Sequence, residues 1–385
     1  MGKNIVVFSD GTGQEGGTDH NTNVYKTFNL ILDRSRRQVS FYDKGLGTGW
    51  KKATGNIMGR GFSKKILEGY KFIFENFEDD DRIFLFGFSR GAATVRSLSG
   101  FIHLFGVLPR SRSDLIEKAW KIYKIKNREK RKKRATEFVD LNHTMWARVH
   151  FLGVWDTVAA LGLPDTRIDK ILNWIVPHGF HDFELSDSVT NAYHALAIDD
   201  CRKTFHPVPF TQDLESYQTL RQVWFMGMHT DVGGGYTQHE VSDIALEWMV
   251  QNAVREGLHI FKPKDGFKTT CTPNANGHMH DSRDTFWKRK IFKAKQRYWD
   301  EAVCGRAVIH QSVEMRTAST DNVEDGGYEP WILGLDPEVE TWTHLPGWKT
   351  DPSFVEATKR DLDALEGWCL PTGPSVSDRA REASG

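Results

Sequence analysis

The pentapeptide Gly87-Phe88-Ser89-Arg90-Gly91 has the Gly-x-Ser-x-Gly spacing that places a serine nucleophile on a sharp turn. In such a turn a strand leads into the serine, a helix leaves it, and small residues allow the strand and helix to approach closely. The apolar run 82–86 precedes the motif, and two alanines follow its second glycine. This context predicts that Ser89 is the nucleophile of a serine hydrolase.

A second Gly-Phe-Ser sequence, which ends at Ser63, lacks this context. It follows a glycine-rich stretch rather than a strand, and Lys65 stands where the second glycine would be needed. Serine is a favoured residue at the start of a helix, where its side chain accepts a hydrogen bond from the backbone. Ser63 is therefore predicted to be the N-cap of a helix over 63–77.

Two aspartates are candidates for the acid that orients the catalytic base. Asp156 and Asp231 belong to the apolar runs 148–157 and 221–231, each of strand length. In α/β-hydrolases the acid follows the serine in the chain, and the histidine comes last. Asp231 follows the second strand counted after the serine strand, which is the usual place for the acid. Asp231 is therefore the predicted acid, and Asp156 is the alternative.

The base must be chosen among 15 histidines. His310 follows the last apolar run, as expected for the third member of the Ser-Asp-His order. His229 stands two residues before Asp231 and, if that stretch is extended, both side chains point to the same side. His310 is the predicted base, and His229 is the alternative.

The oxyanion of the reaction needs backbone N–H donors. One comes from the residue after the serine, Arg90, and one from the loop after an earlier strand. The run 4–9 ends in such a loop, so Gly11 or Thr12 is expected to supply the second donor. Asp10 lies beside them, and we expect its carboxylate to point away and brace the loop.

The order of the elements predicts an α/β fold. Three strand–helix pairs occupy the first 105 or so residues, a pattern typical of a parallel sheet with crossover helices. The expected architecture is α/β-hydrolase-like, a single domain over residues 1–370 with a mostly parallel central sheet flanked by helices. We also expect helical insertions over the carboxyl edge of the sheet, at about 106–147, 160–220 and 257–300. The tail at 371–385 is expected to be disordered.

Seven motifs in a fixed order make the chain resemble the catalytic domain of type VI secretion phospholipase effectors of the first class, a domain long catalogued as one of unknown function. The motifs run from about residue 3 to 316 and are FSDGTG, GFSRGA, GVWDTV, AYHALAIDD-x-R-x-x-F, WFMGMHTDVGGGY, SDIALEWM and IHQSV-x-x-R. The resemblance implies an α/β-hydrolase-like fold, a Ser-Asp-His triad and ester hydrolysis, with phospholipase A activity in the effectors. Matched by motif, Ser89 is the nucleophile and His310 the histidine, whereas the choice between the two aspartates stays open.

Composition limits the partners. The 51 basic and 51 acidic residues balance, so no global charge favours nucleic acid. The segment 120–134 is locally basic and is a candidate for peripheral contact with a membrane. The substrate is expected to be a lipid or a small ester.

The chain is expected to be cytoplasmic, or exported without a signal peptide. Its cysteines are scattered, and its sequence shows neither a signal-peptide core nor a membrane span.

Two rival hypotheses for the function remain. No cofactor is expected for a serine hydrolase, but a divalent cation could be held by Asp10, Asp156, Asp231 and His229, giving a metal-assisted hydrolase. The fold could also serve as a non-catalytic binding module.

Overall fold

The computed structural model describes residues 2–11, 20–32, 35–45, 55–158, 184–260, 271–319 and 327–343. Thr12, the stretch 46–54, residues 160–183 of the predicted insertion 160–220 and the predicted tail 371–385 lie outside them. The strands are β1 Asn4–Ser9, β2 Gln38–Asp43, β3 Arg82–Phe88, β4 Val149–Trp155, β5 Val189–Ala197, β6 Thr219–Phe225, β7 Val308–His310 and β8 Glu338–Glu340. The helices are α1 Asn23–Leu30, α2 Gly55–Asn76, α3 Arg90–Phe105, α4 Asp114–Tyr123, α5 Arg128–Asn142, α6 His229–Gly233, α7 Glu240–Arg255, α8 Phe286–Ile291, α9 Glu301–Cys304 and α10 Gln311–Ala318.

The described strands form one sheet in the order β2-β1-β3-β4-β5-β6-β7-β8, and every neighbouring pair is parallel. The predicted α/β class, with a central parallel sheet flanked by helices, is confirmed. The chain leaves β1 toward β2 on one side and then returns to β3 on the other. Such a reversal opens a crevice at the carboxyl ends of the strands, where ligands of open α/β sheets bind. Ser89 follows β3 at this point.

Alternate residues of the central strands pack into two separate hydrophobic cores, one on each face of the sheet. In β3, Phe84 and Phe86 face the core that α7 covers, whereas Ile83 and Leu85 face the core that α3 covers. Burial on both faces explains why these strands read as continuous apolar runs rather than as alternating patterns. The covered sheet provides a rigid base from which the loops at its carboxyl edge project.

Three local predictions from the sequence were wrong. Residues 189–197, which the sequence predicts to belong to a helical insertion, form β5, an internal strand of the sheet. Helix α2 begins at Gly55, so Ser63 lies inside the helix and is not its N-cap. The run 221–231 is not one strand: β6 ends at Phe225, and His229 and Asp231 lie on the short helix α6.

The predicted helical insertion at 106–147 does contain two helices, α4 and α5. Their aromatic side chains pack on α3: Phe101 contacts Trp120 and Tyr123, and Phe105 contacts Phe138. These contacts place them on the face of the sheet that α3 covers, not over its carboxyl edge as expected. None of the helices in the described part of the chain is both long enough and apolar enough to cross a membrane.

Candidate active site

Ser89 stands on a strained turn between β3 and α3. Its φ of 58° lies in the left-handed region, which residues with a side chain rarely adopt. A Cβ at Gly87 would lie 2.6 Å from the backbone of Gly91, and one at Gly91 would lie 1.9 Å from the carbonyl oxygen of Ser9. The two glycines of the motif are thus required by the close approach of strand, helix and β1. The sharp turn that carries this strain directs the serine side chain away from the carboxyl edge of the sheet.

The imidazole of His229 joins Ser89 to Asp156. Its Nε2 lies 2.8 Å from Ser89 Oγ, and its Nδ1 lies 2.5 Å from Asp156 Oδ2. Ser89 and Asp156 directly follow β3 and β4, whereas His229 begins α6, in the connection after β6, and all three residues are buried. This is the order of contacts in a catalytic triad, with the nucleophile on one ring nitrogen and the orienting acid on the other.

Asp231, the acid first predicted, is not part of this cluster. Its carboxylate accepts hydrogen bonds from His280, at 2.6 Å from the Nδ1, and from the backbone of Met228. Residues i and i+2 of an α-helix are separated by about 200° around the axis, so His229 and Asp231 point in opposite directions from α6. The prediction assumed an extended segment, which would have put both on one side.

His310, the base first predicted, lies far from Ser89 along the sheet. It ends β7, which is four strands from β3 in the sheet order. Its ring stacks on Phe225 and meets Trp342 edge-on, and its Nδ1 accepts a hydrogen bond from the backbone N–H of Ser312. His310 caps the start of α10 and packs in the core, so the structure does not bring it to the serine.

Arg297 holds both oxygens of the Asp156 carboxylate. Its two terminal nitrogens donate to Oδ1 at 2.6 Å and to Oδ2 at 2.8 Å. The guanidinium also donates to the backbone carbonyls of Ala197, Asp200 and Phe205. A buried arginine with all its donors engaged in this way fixes the carboxylate in one orientation.

Residues just after β5 enclose the other side of the imidazole. Asp200 accepts a hydrogen bond from the backbone N–H of His229 at 3.3 Å and pairs with Arg202. The ring of Phe205 meets the imidazole edge-on at 5.1 Å, and Phe88 lies 4.6 Å away on another side. Sequence reasoning assigned no role here, although Asp200, Arg202 and Phe205 all stand in the motif AYHALAIDD-x-R-x-x-F.

The electrostatics suit a base and its acid partner. Burial lowers the pKa of His229 below its ordinary value, against the raising effect of the Asp156 hydrogen bond and charge, so the ring is neutral at pH 7. Burial alone would raise the pKa of Asp156, but the charge and hydrogen bonds of Arg297, and then those of His229, hold it well below its usual range. Asp156 therefore stays ionised beside a neutral imidazole.

Two of the three expected oxyanion donors, Gly11 and Arg90, lie within the described residues. A Cβ on Gly11 would lie 3.7 Å from the Cβ of Ser89, so this loop does border the serine. The Gly11 N–H, however, donates to the Asp10 carboxylate at 2.7 Å. Arg90 is the first residue of α3, so its backbone N–H lies at the positive N-terminal end of that helix. Thr12 is outside the described residues.

Asp10 points away from the serine. Its carboxylate accepts hydrogen bonds from the hydroxyls of Thr22 and Tyr42 as well as from Gly11, which matches the bracing role expected from the sequence. Burial raises its pKa to about 6, against the lowering effect of these hydrogen bonds. Asp10, Asp156 and Asp231 thus have separate partners, and no group of three or more histidine, cysteine or acidic residues in the described ranges is arranged to hold a metal ion.

Comparison with known proteins identifies the family. Residues 3–252 match the family model described as T6SS phospholipase effector Tle1-like, catalytic domain, which is more than half of the 385 residues. The chain belongs to this family. Membership confirms the resemblance seen in the sequence motifs and indicates, at the level of the family, a hydrolase of lipid esters. The matched range includes Ser89, Asp156 and His229 and ends before His310.

The relatives are distant and longer. The chain is 27% identical over 235 residues to the uncharacterized protein YEL023C of Saccharomyces cerevisiae, a match over 54% of this chain and 33% of the yeast protein. A crystal structure of an uncharacterized Pseudomonas aeruginosa protein aligns over 100% of this chain and 62% of that one, with 14% identity and a TM-score of 0.46. The Tle1 effector bound to the VgrG spike of the type VI secretion system aligns over 61% and 51%, with 20% identity and a TM-score of 0.32. The chain thus spans about a third of the yeast relative's length.

Proposed function

We propose that this chain is a serine esterase that cleaves the acyl ester of a lipid through Ser89, His229 and Asp156. The observation that carries the proposal is the pair of contacts made by one imidazole, 2.8 Å to the serine oxygen and 2.5 Å to the carboxylate. The family supplies the substrate class, because its model describes phospholipase effectors. The proposed acid and base are the second choices of the sequence analysis.

In the proposed reaction, His229 Nε2 takes the proton of Ser89 Oγ as the oxygen attacks the acyl carbon. The tetrahedral intermediate then collapses: the ester C–O bond breaks, and the imidazolium returns the proton to the departing alcohol. An acyl group is left on Ser89. A water molecule, deprotonated by the same imidazole, attacks this acyl-enzyme, and the fatty acid leaves as Ser89 regains its proton.

Asp156 holds the imidazole in the tautomer with hydrogen on Nδ1 and stabilises the charge that forms on it. The proposed oxyanion donor is the backbone N–H of Arg90, at the positive end of the 16-residue helix α3. The proposed second donor is the Gly11 N–H, which would exchange the Asp10 carboxylate for the oxyanion when substrate binds.

The test is hydrolysis of a soluble p-nitrophenyl ester and of phospholipid by the wild type and by Ser89→Ala, with labelling by a fluorophosphonate probe. We expect the wild type to hydrolyse the ester and to be labelled, and the variant to lose both properties while it stays folded. A folded wild-type protein that no serine probe labels would favour the non-catalytic module. Activity that a chelator abolishes and the probe does not affect would favour the metal-assisted hydrolase.

A further inference from the structure

The segment 286–298 carries an exposed surface of aromatic and basic side chains beside the candidate site. The segment contains six basic residues and no acidic residue, and one of the six, Arg289, lies 4.0 Å from Asp281 just before the segment. Trp287 and Tyr298 are 68% and 65% exposed, and Lys290, Lys293 and Lys295 of the same segment are exposed as well. We call these five side chains the Trp287 surface.

The Trp287 surface is joined to the residues that surround His229. The backbone N–H of Lys295 donates to the carbonyl of Cys201, and the carbonyl of Lys293 accepts from the backbone of Lys203. Arg297, at the end of the same segment, clamps Asp156.

Two aromatic contacts lead from the segment to the imidazole. Phe292 lies 6.1 Å from Phe205, which itself contacts His229. The surface therefore lies at the carboxyl edge of the sheet, on the side of the molecule where the triad is.

Exposed tryptophan and tyrosine surrounded by lysine are the combination that binds at the surface of a bilayer. The rings lie at the level of the lipid head groups, and the lysines are attracted to anionic lipids. Lys290 lies 5.9 Å from the Trp287 ring and Lys295 lies 5.2 Å from the Tyr298 ring, so each exposed ring has a cation beside it.

We propose that the Trp287 surface docks the protein on an anionic lipid surface and so presents the acyl ester to Ser89. The inference rests on the proposed function, since it names how a lipid substrate reaches the same site. An acyl chain still anchored in a membrane must come to the enzyme at the membrane surface, and a docking surface next to the triad makes that approach direct.

The basic segment 120–134 is the competing surface, and its setting is different. Its cations on α5 are interrupted by Glu129 and followed by Glu137, and Arg128 pairs with Glu184. The helix packs on α3 through Phe138, away from the carboxyl edge. A protein docked through α5 would hold the triad off the membrane. The segment supplies a control with the same change of charge.

The experiment measures binding to phosphatidylcholine vesicles that contain or lack phosphatidylglycerol, in the Ser89→Ala background so that lipid is not consumed. The docking variant combines Lys290→Gln, Lys293→Gln and Lys295→Gln. Its matched control combines Lys130→Gln, Lys132→Gln and Lys133→Gln on α5, which are also exposed. Each lysine near an anionic surface contributes about fivefold in affinity, so the docking variant should bind anionic vesicles about a hundredfold more weakly.

The control should bind as the parent protein does, and added salt should weaken the binding of both. Replacing Trp287 and Tyr298 together by alanine should weaken vesicle binding further, and added salt alone should not reproduce this part of the loss. With Ser89 restored, the docking variant should hydrolyse the soluble p-nitrophenyl ester at the wild-type rate and vesicle lipid more slowly. Soluble-ester activity in the wild type tests the proposed function separately, because it does not require a membrane.

Three results would overturn the inference. The first is a docking variant that binds anionic vesicles as well as its parent. The second is a loss of binding in the α5 control alone, which would assign docking to the segment 120–134. The third is tighter binding of a DNA duplex than of vesicles, sensitive to the same three lysines, which would make the surface a nucleic-acid site.

Discussion

His229 and Asp231 leave the same turn of α6 in opposite directions, His229 onto Ser89 and Asp231 onto His280. Two residues apart in the sequence, they belong to separate hydrogen-bonded clusters. The two aspartates that the sequence offers as the acid can therefore be told apart by experiment.

The first prediction compares Asp156→Asn with Asp231→Asn. Asparagine at 156 cannot hold the correct tautomer of His229 or stabilise its charge, so kcat/KM for a soluble ester should fall by about 10⁴. Asparagine at 231 should change kcat/KM by less than about tenfold, since its partner His280 does not contact the serine. Full activity in Asp156→Asn together with loss in Asp231→Asn would reverse the assignment.

A buried charge complicates the first of these variants. Asp156→Asn removes the carboxylate that both terminal nitrogens of Arg297 hold, and breaking a buried ion pair in this way costs about 3–5 kcal/mol. The double variant Asp156→Asn with Arg297→Gln removes both charges. It should fold better than the single variant and remain equally inactive, as thermal unfolding and ester hydrolysis would show.

The second prediction concerns the histidines. His229→Gln should lower kcat by about 10⁵ or more because the serine loses its base, while fluorophosphonate labelling disappears. His310→Gln should keep both activity and labelling, and its cost should appear in stability, since the ring packs between Phe225 and Trp342. Loss of labelling in a folded His310→Gln protein would contradict this assignment.

The third prediction is the pH dependence of kcat/KM. The imidazole must be neutral to accept the proton of Ser89, so activity is lost as the pH falls through the pKa of His229. Burial lowers that pKa, which places the acidic limb of the profile below pH 6.5. The measurement is kcat/KM for a soluble ester between pH 4.5 and 8, and a limb centred above pH 7 would be inconsistent with the buried imidazole.

The part of the site that the sequence predicts is the local part. Ser89 is recognisable because the strand, the two glycines and the following helix lie within a few residues of it. The sequence offers both His229 and Asp156 as alternatives, but ranking them above His310 and Asp231 requires the number and order of the strands. β5, VTNAYHALA, contains three alanines, Asn191 and His194 instead of the bulky apolar residues of β1 and β3, so the sequence does not identify it as a buried strand and the predicted strand count is one too few.

Arg297 could not be found from the sequence at all. It is 141 residues from Asp156 along the chain and stands in a basic, irregular stretch that resembles a surface loop. Only folding brings it under the carboxylate. By contrast, the bracing role of Asp10 could be predicted, because a carboxylate beside a developing oxyanion must point elsewhere.

The fourth prediction tests the burial of Asp10 through stability. Its pKa is raised from 3.8 when unfolded to about 6 in the folded protein, so the folded state is favoured by the protonated form. This contribution is complete below the unfolded pKa and is lost as the pH rises through about 6. The unfolding free energy of Asp10→Asn minus that of the wild type should therefore increase between about pH 4 and 7, by up to about 3 kcal/mol. Urea titrations at several pH values measure it, and a flat difference would show that Asp10 is solvated.

The fifth prediction is that Arg297 is a positioning residue that acts through Asp156. Arg297→Lys keeps the charge but cannot hold both carboxylate oxygens, so the carboxylate and the imidazole it orients should shift. Small misplacements of catalytic groups cost up to about 10²-fold in rate. We expect kcat to fall by about 10- to 100-fold with KM nearly unchanged, because Arg297 does not border the serine.

Arg297→Met provides the comparison that separates orientation from stability. It removes the charge, so it should also lower the thermal stability strongly, as Asp156 is then a buried carboxylate without a cation. If Arg297 only stabilised the fold, each variant, Arg297→Lys and Arg297→Met, would lose kcat only to the extent that it also lost thermal stability. An Arg297→Lys protein that melts near the wild-type temperature but has a lower kcat supports the positioning role, and one that keeps full kcat excludes it.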